Sequence, residues 1–149
     1  MILKEEFSKI IDSEEYKAFK EENKDSFLSS IFLDKDGWQF NFFYNNKLIT
    51  FFIENDIIKT EESEIYEKQE IQELKLEEVK IGLEQAENLM KPEEEITKKI
   101  IILQQKESPL WNITYITKSL NILNLKVDAI SGKLLEQKTE NIMNFKQTQ

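Results

Sequence analysis

Trp38-Gln39-Phe40-Asn41-Phe42-Phe43 and Trp111-Asn112-Ile113-Thr114-Tyr115-Ile116 carry one pattern twice: Trp, polar, apolar, polar, aromatic, apolar. Alternation at period 2 marks a strand with one face buried, because successive side chains point to opposite sides of a sheet. Trp38, Phe40, Phe42 and Tyr44 therefore share a face, opposite Gln39 and Asn41. Trp111, Ile113 and Tyr115 share one opposite Asn112 and Thr114. Each stretch is preceded by an apolar run, Phe27 to Leu33 and Ile100 to Leu103. The turns between are Asp34-Lys35-Asp36-Gly37 and Lys106-Glu107-Ser108-Pro109. Each is followed by a third run, Leu48 to Ile53 and Ile122 to Val127, after Asn45-Asn46-Lys47 and Lys118-Ser119. Apolar runs spaced by such residues read as hairpins in series.

The correspondence continues upstream. Asp12 with Glu15 three residues later reads as a capping box opening a helix from about Ser13 to Glu22, and Leu83 to Lys91 reads as a helix stopped by Pro92. The fold class expected is α+β, two tandem units each of one helix plus an antiparallel three- to four-stranded meander. Residues 1–60 form the first unit, 61–78 an acidic connector and 79–149 the second unit. Leu74 and Leu76 alternate in the connector, as do Val79 and Ile81 just after it, and suggest a short extended stretch, with Ile65, Tyr66 and Ile71 as isolated apolar positions.

Composition excludes a good deal of chemistry. The chain has 149 residues and neither cysteine nor histidine, and every one of its 20 basic residues is lysine. Disulfides, Cys/His zinc sites, Ser-His or Cys-His nucleophiles and bidentate arginine clamps are ruled out. The net charge of −9 sits in the middle: Glu54 to Glu95 holds 15 acids against 5 lysines, which leaves the remainder at +1. An acidic chain with no arginine is a poor match for a polyanion, so no nucleic-acid partner is expected. Met1 to Glu6 has no apolar signal-peptide core, and no apolar run approaches the roughly 18 residues of a membrane span, so the chain reads as cytoplasmic as written. The glycines at 37, 82 and 132 are too scattered for a phosphate loop, and the acids show no catalytic or cation-loop spacing. No cofactor, metal site or enzymatic activity is expected.

At the C-terminal end, Val127-Asp128-Ala129-Ile130-Ser131-Gly132-Lys133 runs a strand into a turn where glycine supplies positive φ. Together with Trp111 and Tyr115, this segment resembles the PepSY family, whose repeats carry a tryptophan-bearing strand and a Val-Asp-Ala-x-Thr-Gly-Lys motif; Ser131 stands in place of threonine. The likeness covers about residues 79 to 140, and the first unit is a divergent copy that has Ile53-Glu54-Asn55-Asp56-Ile57 where the motif's turn belongs. The resemblance implies a PepSY/cystatin-like fold and a non-catalytic module that binds or restrains peptidases.

Trp38, Trp111, Tyr115, Asp128 and Gly132 are the residues singled out, all in structural roles. Asp128 reads as a turn-shaping acceptor of backbone N–H groups rather than a catalytic acid. Phe42-Phe43 and Phe51-Phe52 place aromatics on both faces of adjacent strands; if the two units do not cover the second face, it becomes an apolar patch and hence a binding or homodimer surface. The function expected is a non-catalytic protein- or peptide-binding module, with a peptidase as the implied partner. The alternative is a small-ligand carrier with a cavity between helix and sheet.

Overall fold

A computed structural model describes residues 1–65 and 70–142. In chain order the elements are α1 Ile2–Ile11, α2 Glu14–Glu22, β1 Phe27–Asp34, β2 Gly37–Tyr44, β3 Lys47–Glu54, β4 Ile57–Glu64, α3 Leu83–Glu87, β5 Ile96–Gln105, β6 Pro109–Thr117, β7 Asn121–Asp128 and β8 Leu134–Asn141, with a 3-10 turn at Leu76–Glu78. The strands lie in one eight-stranded sheet in the order β4-β3-β2-β1-β5-β6-β7-β8. This corrects the expectation of two separate helix-plus-meander units, and with it the PepSY/cystatin-like arrangement. The sheet dominates, the first half carries two helices rather than one, and the helix of the second has five residues.

Two compact parts, Met1–Leu74 and Lys75–Gln149, divide the chain. Residues 61–78 are shared between them: Glu61 to Glu64 continue β4, and Leu74 and Leu76 are buried, as is Val79 just beyond. The stretch read as extended around Leu76 is a 3-10 turn instead. Tyr66 lies outside the described residues.

In the first part, α1 presents Leu3, Phe7 and Ile10 at helical spacing. Phe7 stacks against Phe40 and Phe42, with ring centroids 5.6 and 6.4 Å apart. From α2, Tyr16 and Phe19 meet Phe42 and Phe51 at 5.1 to 6.2 Å. The start of α2 also differs from expectation. Ser13 is the N-cap, its Oγ accepting the Tyr16 N–H at 3.2 Å, whereas Asp12 closes α1. A serine one residue nearer the helix reaches the third N–H of the first turn, so the Asp12–Glu15 box does not form. The turns after β2 and β3 are Asn45-Asn46 and Asn55-Asp56, all four residues at positive φ. These are type I′ turns made without glycine, which Asn and Asp tolerate and which match the twist of paired strands.

In the second part, Trp111, Ile113 and Tyr115 of β6 lie buried with Ile101 and Leu103 of β5 and Leu123, Leu125 and Val127 of β7. Helix α3 stops at Glu87, short of the expected Lys91, so Pro92 is not what ends it.

Strand register repeats across the two parts. Leu33 faces Trp38 as Leu103 faces Trp111, Ile31 faces Phe40 as Ile101 faces Ile113, and Asn41 faces Thr50 as Thr114 faces Asn124. The polar pairs close similar hydrogen bonds: Thr50 Oγ1 donates to Asn41 Oδ1 at 2.6 Å, and Asn124 Nδ2 donates to Thr114 Oγ1 at 2.9 Å.

Candidate functional site

Equivalent register does not give the two tryptophans equivalent surroundings. Trp111 is 0% exposed, and its Nε1–H donates to the Ile81 carbonyl at 2.8 Å. The Ala129 carbonyl accepts the N–H groups of both Lys80 and Ile81 at 2.9 Å. Gly132, at φ +81°, passes so close to Ile81 that a Cβ there would lie 3.3 Å from Ile81 Cδ1. The motif residues Trp111, Ala129 and Gly132 thus converge on one segment, Val79 to Gly82, and hold it against the sheet.

Asp128 serves the turn that makes this possible. Its Oδ1 accepts the N–H groups of Ile130 at 2.8 Å and Ser131 at 2.9 Å, and its Oδ2 accepts the Ser108 hydroxyl at 2.7 Å. The Ser131 N–H and then the Ser108 hydroxyl hold the carboxyl below the usual carboxylate range, because each stabilises the charged form. Nothing in this geometry leaves the carboxylate aimed at a substrate.

Tyr115 is 1% exposed, and its hydroxyl has no hydrogen-bond partner among the described residues. Burial first, and the nearby Glu87 carboxylate second, push it up to about 12. Glu87 is itself held by Lys99 at 2.8 Å. With its side chain buried, it reads as a closed interior contact.

The first part offers more open geometry. Trp38 is half-buried and lines a cleft of about 460 Å³ with Gly37, Phe40, Ile53 and Ile58, under Glu6 and Lys9 of α1 and beside Asp56. The Lys9 ammonium pairs with Glu6 at 2.8 Å across its mouth. A second hollow, of about 560 Å³, is lined by Asp36, Gln39, Phe52, Ile53, Glu54 and Glu61. Both hollows adjoin β4, the outermost strand of this end of the sheet. The face of β1–β3 turned away from α1 and α2 carries Phe27, Phe43 and Phe52, half-buried, and Phe32, 38% exposed.

Sequence reasoning named Trp38 but missed the cleft beside it, and it missed β4 as a strand. The helical spacing of Leu3, Phe7 and Ile10 before Asp12 signals α1 itself, though not where that helix lies across the sheet. Among the described residues, no group of three or more Asp or Glu has the geometry of a metal site, and no helix is long and apolar enough to cross a membrane.

No family model matches the chain, and no curated protein matches it. A crystal structure of a "putative lipoprotein" from Clostridium difficile 630 is similar, with a TM-score of 0.60 at 17% identity over 83% of this chain and 89% of that one. At that identity the likeness is one of fold.

Proposed function

We propose that this chain is a non-catalytic module that binds a peptide or an extended segment of a partner protein. The observation that carries the reading is the cleft at Trp38. It joins a mostly apolar floor of Trp38, Phe40, Ile53 and Ile58 to a charged mouth and lies next to an open strand edge, which suits one anchoring side chain of a longer ligand. A peptidase is the partner class implied by the PepSY-like residues of the second part. Those residues support the reading only through resemblance, because the Trp111 indole, the Ala129 carbonyl and the close approach at Gly132 are spent on holding Val79 to Gly82.

The test is selection from an unbiased displayed-peptide library against the full chain, with counter-selection on Trp38→Ser. Enriched peptides that compete with one another and lose binding to the variant support the proposal. A library that yields no competing set, or one indifferent to Trp38, overturns it. The same cleft volume also suits a small-ligand carrier, and native mass spectrometry that finds a stoichiometric metabolite in the purified chain would favour that reading.

The reading does not depend on compartment, since a chain without cysteine is indifferent to redox conditions. A cytoplasmic location is part of this proposal, and cell fractionation checks it.

A further inference from the structure

The β3–β4 hairpin fixes which backbone groups of the edge strand are free. Its turn has two residues, Asn55 at φ 52° and Asp56 at φ 63°, with Glu54 and Ile57 flanking it. In such a hairpin the flanking pair exchanges both hydrogen bonds, and the pattern alternates from there. Ile57, Lys59, Glu61 and Ser63 therefore bond to β3. Ile58, Thr60, Glu62 and Glu64 turn their N–H and C=O groups outward, and no strand among the described residues pairs with that side. The free edge is eight residues, about 27 Å, long.

The two faces beside this edge differ in position but share a sign. On the helix side lies the Trp38 cleft, with Glu6, Asp56 and Lys9; on the other lies the hollow with Asp36, Glu54 and Glu61. Lys9 is already engaged by Glu6, and Lys59 is engaged by Glu54 at 3.5 Å. Asp36, Asp56 and Glu61 have no ion-pair partner among the described residues, and Glu64 at the far end has none either. Glu62 is bridged to Lys47 at 3.2 Å. A second copy of this chain pairing β4 with β4 would set these carboxylates against each other, so the edge disfavours a homodimer of that kind.

We infer that β4 accepts a lysine- or arginine-bearing extended segment of a partner protein as an added antiparallel or parallel strand, anchored by one bulky apolar side chain in the Trp38 cleft. The inference rests on the binding-module reading and names its partner. Side chains of an added strand alternate between the two faces. The residue opposite Ile58 enters the cleft, residues opposite Thr60 and Glu62 follow on the same side, and those between them face the hollow at Glu61. Backbone bonds to Ile58, Thr60, Glu62 and Glu64 supply the sequence-independent part of the affinity, and the carboxylates select the charge.

The probe is a fluorescein-labelled nine-residue peptide with leucine as its apolar anchor, lysines at alternate positions beyond it and threonine elsewhere. Controls replace the lysines with glutamates or the leucine with serine. Anisotropy titration should show the lysine peptide binding at least about tenfold tighter than the glutamate peptide, with the difference shrinking as salt rises. Thr60→Pro removes an outward N–H without touching a bond to β3, and should weaken binding about tenfold. Thr60→Ala keeps that N–H and should bind as the unaltered chain does. The double variant Glu61→Lys, Glu64→Lys should erase the charge preference. Equal binding of lysine and glutamate peptides, or indifference to Thr60→Pro, overturns the strand-addition inference while leaving a peptide-binding module intact. No binding by any of these probes, alongside library peptides that do bind at Trp38, overturns it equally. If the library fails too, it is the binding-module reading that falls.

Discussion

Replacing each tryptophan by phenylalanine separates two residues that share a place in the strand register. In Trp111→Phe the Ile81 carbonyl loses its 2.8 Å donor. Ile81 is only half-buried, so water partly compensates, and the loss is about 1 kcal/mol, at the low end for an unsatisfied buried acceptor. The smaller ring leaves a void in a fully buried site, which adds about 1 kcal/mol. The expected cost is about 2 kcal/mol, a fall in Tm of about 4–8 °C for a chain of this size. Trp38→Phe removes a half-buried ring at the cleft wall whose Nε1 has no partner among the described residues, and should cost under about 1 kcal/mol. Each part of the chain contains one tryptophan, so in either variant the remaining indole reports its own part. Urea unfolding followed by far-ultraviolet dichroism and by that fluorescence gives both stabilities, and coincidence of the two signals shows whether one transition suffices. A Trp111→Phe cost no larger than that of Trp38→Phe would refute the clamp on Ile81.

Gly132→Ala should destabilise by about 1–2 kcal/mol in the same urea assay, since an L-residue at φ +81° is strained and its Cβ meets Ile81. Leu120 sits at φ +65° with its side chain exposed, so Leu120→Gly should raise Tm slightly, because relief of that strain exceeds glycine's greater loss of chain entropy. Asp128 has its carboxyl lowered in the folded chain, so its contribution is present above the unfolded carboxylate range and is lost as pH falls through the folded value. Asp128→Asn should flatten the acid limb of a stability–pH profile that the unaltered chain shows. Tyr115 runs the other way: its folded value of about 12 lies above the unfolded one of about 10, so its contribution is complete below pH 10 and fades toward pH 12. Absorbance titration at 295 nm should show a phenolate forming at about pH 12 that is lost in Tyr115→Phe.

The strands were legible where one face is buried and the other polar. Trp38 to Phe43 and Trp111 to Ile116 announce themselves by alternation, and Asn45-Asn46 by turn chemistry. β4 was not legible past Thr60, because Glu61-Glu62-Ser63-Glu64 has no apolar face to reveal; its pairing to β3 is fixed by the Asn55-Asp56 turn rather than by burial. α1 was visible in principle from Leu3, Phe7 and Ile10, but it begins without a side-chain cap. Pro92 misled in the opposite direction, since α3 ends before reaching it. Of the site, the turn role of Asp128 could be read from its spacing to Gly132. The cleft at Trp38 could not, since it depends on where α1 lies across the sheet, a tertiary fact that no local pattern holds. That the strands share one sheet was beyond reach for the same reason.

Backbone amide exchange along β4, measured by NMR with and without the lysine peptide, tests the binding edge most directly. In the free chain Ile58, Thr60, Glu62 and Glu64 should exchange fast and Lys59, Glu61 and Ser63 slowly. Adding the peptide should slow the first set, beginning at Ile58 beside Trp38. Protection that appears elsewhere while those four amides stay fast would contradict the proposed mode of binding.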